Sequence, residues 1–486
     1  RRKAPVKVVS DMGQPQLTIS TATWTNNGVD NDVVIYYDTL KMQNTSKIVT
    51  SIQEGDILSI DLSGISGVSS FNLLRASAYT PDDLTFKSVD TEVATVDAKT
   101  GVVTAKKTGI TYIVVTDKNG AEGFFKLNVE PQGTNYIAYP QVQPGFYHTV
   151  ALKADGTVWA WGDNSYGQLG IGVKGNPTDS SKTSCLTPMQ VVTGEQDSSS
   201  TYLEDIIQIS AGPTFAMALD RKGNVYTWGQ NNVGQLGNNT TTSSNAPVRV
   251  SGGLAYTVYL GDVIQIAAGG DWVNGTNDFA VVLRKDGSVM TWGQNSNGQL
   301  GNKSYTSSLT PVRPVGIDGD TDKGLQNVVQ ITAGGVSAGV VTTDRKAYTW
   351  GYNAQRQLGV DTSASTVNVP TVVKTDASTE LSDVVEITAG MQQMSARVIE
   401  DASADPFTKV YAWGNNSYGQ LGLNKSDATY VYATRVVGGE TKKDYLEDTV
   451  SLYAGGYHMG SVQSDYSVWD WGYNINGQLG DGTTDR

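Results

Sequence analysis

Few residues in this 486-residue chain could do chemistry: two histidines, one cysteine and a loop of alternating aspartates. His148 and His458 stand in matching contexts, FYHT and GYHM. A zinc site needs three or four His, Cys or carboxylate ligands, and a Cys–His nucleophile needs its base beside the thiol. Cys185 is alone and no third ligand accompanies either imidazole, so both histidines read as structural. Asp318, Asp320 and Asp322 alternate as the carboxylates of a calcium loop do. Yet Lys323 stands where such a loop turns on glycine, and Val329 where it ends on glutamate. A solvated loop is the preferred reading, and calcium is the one cofactor the sequence offers. No phosphate-cradling loop, nucleophile elbow or redox cysteine pair occurs. The expectation is a protein without catalysis.

The totals narrow the partners. A net charge of −13 opposes nucleic acid and anionic membranes, because phosphate binding needs clustered Lys and Arg. One cysteine excludes an internal disulfide. No run approaches the ~18–20 apolar residues of a membrane span, and Arg1-Arg2-Lys3 opens the chain without a signal-peptide core. The reading is a processed or trimmed piece, with no membrane insertion. Tyr166, Tyr305, Tyr418, Tyr430 and Tyr432 are candidates for a carbohydrate or protein contact, although buried or scattered tyrosines are the default. Asn44 and Asn302 head Asn-X-Ser/Thr triplets that an Asn- and Thr-rich chain yields by chance.

The elements that must carry these residues repeat. One decapeptide returns six times: WGDNSYGQLG from Trp161, WGQNNVGQLG from Trp228, WGQNSNGQLG from Trp292, WGYNAQRQLG from Trp350, WGNNSYGQLG from Trp413 and WGYNINGQLG from Trp471. The intervals are 67, 64, 58, 63 and 58 residues, the period of antiparallel blades. Each unit reads as an apolar strand ending in a small pair (IIQISAG, VIQIAAG, VVQITAG), then a second strand. An Asp-Gly type turn leads to a third, alternating strand (VWAW, VYTW, VMTW). The decapeptide follows, and then an outer strand opened by Pro188, Pro247, Pro311 or Pro370, proline being tolerated at a sheet edge. Within the decapeptide, Trp brings an apolar face and an N–H that needs a partner. Asn and the next Gly suit left-handed turn positions, and the Leu of GQLG plugs between blades. Arg356 replaces a glycine in the fourth copy; if that site needs positive φ, arginine costs about 1 kcal/mol.

These six copies, over residues 137–486, resemble the regulator-of-chromosome-condensation repeat, which implies a β-propeller, commonly of seven blades. The chain shows six units, so six blades are expected, with seven as the alternative. Residues 11–131 read as a small β-sandwich. Val93-Ala94-Thr95-Val96-Asp97, then Gly101-Val102-Val103 and Lys107-Thr108-Gly109, resemble the bacterial immunoglobulin-like family, group 2, which implies a surface protein or adhesin. Residues 132–136 are the linker.

The sixth unit stops before its outer strand, and residues 1–10 look like one. Ala4-Pro5-Val6-Lys7-Val8-Val9 matches Ala246-Pro247-Val248-Arg249-Val250. With Arg1 set after Arg486, Gly480 to Pro5 is 11 residues, against 10, 10 and 11 in units two to four. The acceptor blade carries Trp469, Trp471, Leu479 and Gly480, while Trp161, Trp228, Trp292, Trp350 and Trp413 hold the other blades. Three outcomes stay open: closure within the molecule, donation to a neighbour in a head-to-tail homo-oligomer, or a fragment of a tandem polyprotein. The expectation is an extracellular bacterial surface filament or array. The rival is a monomeric adhesin binding a host protein or glycan. Eukaryotic members of the propeller family serve in nucleotide exchange or chromatin binding, a role the acidic charge opposes.

Overall fold

The computed structural model describes residues 140–485 apart from 254–257, 272–274, 399–408, 440–442, 448 and 464–466. Before residue 140 it describes residue 138 and strands and turns within 6–130. All the described elements are β except one short 3-10 turn at residue 439. Six four-stranded antiparallel sheets form the blades of a propeller.

Blade two shows the plan: Ile206–Ala211, Phe215–Asp220, Val225–Gly229 and Ser244–Arg249 in spatial order. Its second strand is buried at every position, and so are the second strands of blades four and five, Ser337–Thr342 and Gln393–Val398. A strand covered on both faces has no solvent side, which is why FAMAL lacks the alternation of a half-exposed strand. Five apolar clusters sit between consecutive blades. Phe215, Met217 and Leu219, for example, pack with Ala280, Val282 and Trp292 of blade three. The core is therefore five seams, not one centre.

Each outer prolines' strand starts earlier than its proline, which corrects the sequence reading. Ser184–Gln190 and Ser244–Arg249 contain Pro188 and Pro247 in their interiors. The ladder shifts register there: Gly229 pairs with Ser244 and Thr227 with Val248, so residues 245–247 bulge opposite Trp228. Proline falls where no ladder bond is lost.

The opening strand, Val6–Val9, lies antiparallel to Val468–Gly472 of the same chain and makes the sixth blade four-stranded. Val6 pairs with Asp470 and Lys7 with Trp469. This is the register of blade two, where Val248 pairs with Thr227 and Arg249 with Tyr226. Ala4 and Pro5 lie outside the described residues.

The N-terminal module has two sheets. One runs Ser51–Gln53, Glu122–Glu130, Gly109–Asp117, Leu84–Ser88, and the other Val29–Val33, Ala22–Asn26, Ile57–Ser59, Val102–Ala105, Ala94–Val96. The segment 11–46, unassigned by motif, thus supplies two strands of the second sheet. The linker 132–136 lies outside the described residues.

Arg356 has φ of 60°, the left-handed region its glycine counterparts use. Its Nη1 donates to the Thr362 carbonyl at 2.7 Å, which offsets part of the strain. Arg356→Gly is expected to stabilise the chain by up to about 1 kcal/mol. A higher urea midpoint checks this, and an unchanged or lower one refutes it.

Candidate functional site: the blade junctions

The groups with chemical potential are dispersed. His148 is buried and neither ring nitrogen has a hydrogen-bond partner; burial lowers its pKa to about 4. It occupies the place of Phe215 in blade two, each pairing with the glycine after the blade's Trp. His458 is lowered by burial as well. Burial raises the Cys185 thiol, which is free. The aspartate loop caps itself: Asp318 accepts from the Asp320 N–H at 3.0 Å, and Asp320 accepts from the N–H groups of Asp322 and Lys323 at 2.7 and 3.0 Å. Those bonds hold the Asp320 carboxyl below its usual range. Among the described residues no group of three His, Cys, Asp or Glu side chains converges.

What recurs is the junction. The Nε1 of Trp228, Trp292, Trp350, Trp413 and Trp471 donates to the carbonyl of Gln168, Gln235, Gln299, Gln357 and Gln420 in the preceding blade, at 2.9–3.0 Å. All five indoles are 0% exposed. The glycine closing each preceding decapeptide lies against that indole. A Cβ on Gly237 would stand 2.7 Å from Trp292 Nε1, and φ there is +66°. Only glycine fits, for both reasons.

The Asn of the decapeptide was misread as a left-handed turn residue. Asn164, Asn231, Asn295, Asn353, Asn416 and Asn474 are absent from the positive-φ positions and at most 1% exposed. Each Oδ1 accepts the N–H of the Leu five residues on, at 2.9–3.2 Å. Asn231 Nδ2 also donates to the carbonyls of Thr240 and Thr242. A side chain with donors and acceptors on one carbon can clamp both limbs of a loop. Its burial, and not its backbone angle, explains its recurrence.

A second clamp gave no motif signal. Gln141, Gln208, Gln265 and Gln330, on first strands, each donate to a carbonyl and accept an N–H on the first strand of the next blade. In blade five Glu386 takes the place, accepting from Leu452 N at 3.2 Å while Arg397 Nε donates to it at 2.9 Å. The Gln shared by IIQIS, VIQIA and VVQIT was the available signal.

The junction between blades six and one is different. Blade one's second strand, His148–Leu152, alternates between buried and half-buried, so one face is uncovered. Trp161 is half-buried, and its indole meets no glutamine carbonyl among the described residues. Val142 is 63% exposed, whereas Ile209, Ile266, Ile331 and Ile387, its counterparts, are at most 2%. Completing the sixth blade with the opening strand does not complete this seam.

Six β-blades in sequence, joined at five junctions by the same indole-to-carbonyl bond, define a repeat-propeller scaffold. The sequence matches the RCC1-like domain over residues 126–486 and the bacterial Ig-like domain (group 2) over residues 73–126. The chain belongs to the RCC1-like domain family. It is 28% identical over 378 residues to the human E3 ubiquitin-protein ligase HERC2, a match covering 69% of this chain and 7% of that protein. It is 26% identical over 346 residues to the ultraviolet-B receptor UVR8 of Arabidopsis thaliana, covering 70% and 66%. The chain thus spans a small fraction of the first of these relatives. Among solved structures, yeast RCC1 (Prp20) bound to Kap60 aligns with a TM-score of 0.54 at 22% identity, over 71% of this chain and 72% of that one. Human WBSCR16 aligns with a TM-score of 0.51 at 18% identity, over 91% and 100%. These likenesses establish the propeller.

Proposed function

We propose that this chain is a non-enzymatic, extracellular structural protein of the bacterial cell surface, whose copies join head to tail by completing one another's last blade. The observation that carries the reading is the ladder between Val6–Val9 and Val468–Gly472. The outer strand of the sixth blade comes from the far end of the sequence, in the register of an ordinary blade. Backbone bonds of this kind serve equally within a chain and between two chains. Because donor and acceptor are different surfaces, exchange between copies is heterologous and propagates. The group 2 bacterial Ig-like module supports the surface location.

The test is a chain lacking residues 1–9. The full chain is expected to form oligomers in size-exclusion chromatography, and the truncated chain to lose them and to bind a synthetic peptide of residues 1–10. A full chain that is monomeric at every concentration overturns the filament reading. That outcome favours the second reading, a monomeric adhesin. Its support is the tyrosine cluster at one end of blades five and six, where Tyr418 lies 5.3 Å from Tyr457 and 4.8 Å from Tyr473, ring centre to ring centre. Aromatic faces of this kind stack on sugars and on protein anchors.

A further inference from the structure

Blade three carries an insertion that its neighbours lack. Nine residues stand between Gly269, which ends its first strand, and Phe279, which opens its second. The other five blades have two residues there, as Pro213-Thr214 and Gly335-Val336 show. The last residue of the insert, Asp278, is 0% exposed, and Thr214 Oγ1 of blade two donates to its Oδ2 at 2.6 Å. Its other oxygen, Oδ1, is buried without a hydrogen-bond partner. So is Oε1 of Gln230, a residue 7% exposed whose backbone N–H donates to the Thr214 carbonyl at 3.1 Å.

Two glycines bring the insert onto these oxygens. A Cβ on Gly275, where φ is +69°, would stand 2.3 Å from Thr214 Oγ1 and 2.5 Å from Gln230 Oε1. One on Gly270 would stand 2.3 Å from Asp278 Oδ1. Gln230 is also turned differently from its counterparts. Asp163, Gln294 and Asn415 hold the same place in their decapeptides, and a side-chain oxygen of each accepts the N–H of the serine two residues on, at 2.8–3.3 Å. Gln230 Oε1 makes no such bond and faces the insert.

Both leftover atoms are acceptors, so neither can satisfy the other while Asp278 is ionised. Asp271 lies near enough for its charge to push the Asp278 carboxyl further up. Residues 263–283 contain no lysine or arginine to answer either carboxylate. Buried acceptors without donors are costly. Carboxylate and amide oxygens gathered around glycines are what calcium takes, with carbonyls and water completing its six to eight ligands.

We propose that Asp278, Gln230 and Asp271 hold a calcium ion that pins the insert of blade three to blade two. The Gly270 N–H already donates to the Gly335 carbonyl of blade four at 2.6 Å, so the ion ties three consecutive blades through one loop. The Asp318–Asp322 loop differs because Asp318 and Asp320 spend oxygens on their own N–H groups. Two carboxylates place the affinity at the weak end, about 10⁻⁴–10⁻³ M, as in extracellular modules. The site is independent of how copies of the chain assemble.

Calorimetric titration of calcium chloride into the chelator-stripped full chain should show one binding event in that range. About 10 mM calcium should raise the melting temperature and equal magnesium should not, because the smaller ion gives up its waters reluctantly. Asp278→Asn keeps the shape and should weaken calcium binding at least about tenfold, since ligand charge sets affinity. Asp271→Asn, at a half-buried position, should do the same and decides the matter if Asp278→Asn fails to fold. Asp320→Asn should leave the affinity unchanged. A wild type with neither calcium heat nor a melting shift overturns the proposal, and an equal response to magnesium overturns the choice of ion. Binding that survives Asp278→Asn and Asp271→Asn but is lost in Asp320→Asn also overturns it, placing the ion on the aspartate loop.

Discussion

Trp292→Ala should destabilise the propeller by about 3–5 kcal/mol, the range for removing a large buried aromatic. The loss of the bond to the Gln235 carbonyl adds about 1–3 kcal/mol, because that oxygen would stay buried without a donor. The side chain is 0% exposed and packs in the seam with Phe215, Met217 and Leu236 of blade two. Trp161→Ala removes the same side chain from the same place in the repeat, yet should cost about 1 kcal/mol or less. Its indole is half-buried and has no carbonyl to satisfy among the described residues. Urea unfolding of the two variants side by side reads the difference directly. Equal losses would mean that blade six covers Trp161 in solution, and the account of an unmade sixth junction would fail.

That contrast also shows what the sequence could and could not disclose. The decapeptide marks the blades, because at constant spacing its Asn meets its Leu six times and its Trp meets the preceding blade five times. The partner of the edge strand was legible too. The likeness of Ala4–Val9 to Ala246–Val250 put Lys7 where Arg249 sits, and the pairing of Lys7 with Trp469 keeps that place. The tryptophans were not distinguishable. Trp161 and Trp292 sit in near-identical decapeptides, and only the position of blade one at the end of the row separates them. Burial of a repeat unit depends on its neighbours, which a local motif cannot encode. The asparagine was misread for a related reason. Its type suits both an exposed turn and a buried clamp, and five of its six copies are followed three residues later by a glycine that suggested the turn. The glutamine clamps gave still less, being single polar residues within apolar strands.

Three buried ionisable groups make the stability of this fold depend on pH, in opposed directions. Asp278 is 0% exposed; burial lifts its carboxyl to about 7, although Thr214 Oγ1 donates to it at 2.6 Å. Burial likewise lifts Asp470 to about 7, against the bonds from the Trp471 N–H and the Tyr453 hydroxyl. A carboxyl raised on folding contributes stability that is fully present below its unfolded pKa near 3.8 and is lost as pH rises through about 7. Between pH 5 and 8 each should therefore cost about 2.5 kcal/mol. His148 works the other way. Its folded pKa of about 4 lies below 6.5, so the unfolded chain binds the extra proton in that window, and stability is gained as pH rises from about 4 to 6.5. From pH 5 to 8 that gain should be about 2 kcal/mol. The wild type should thus unfold at lower urea at pH 8 than at pH 5, the two carboxylates outweighing one imidazole. Asp278→Asn with Asp470→Asn should reverse the order, leaving the histidine to favour pH 8. His148→Phe, which installs the residue found at Phe215 and Phe279, should steepen the wild-type loss. A double variant that keeps the wild-type fall would show that these carboxyls are ionised in the fold at neutral pH, and that solvent reaches the turns around Thr214 and the face beneath Tyr453.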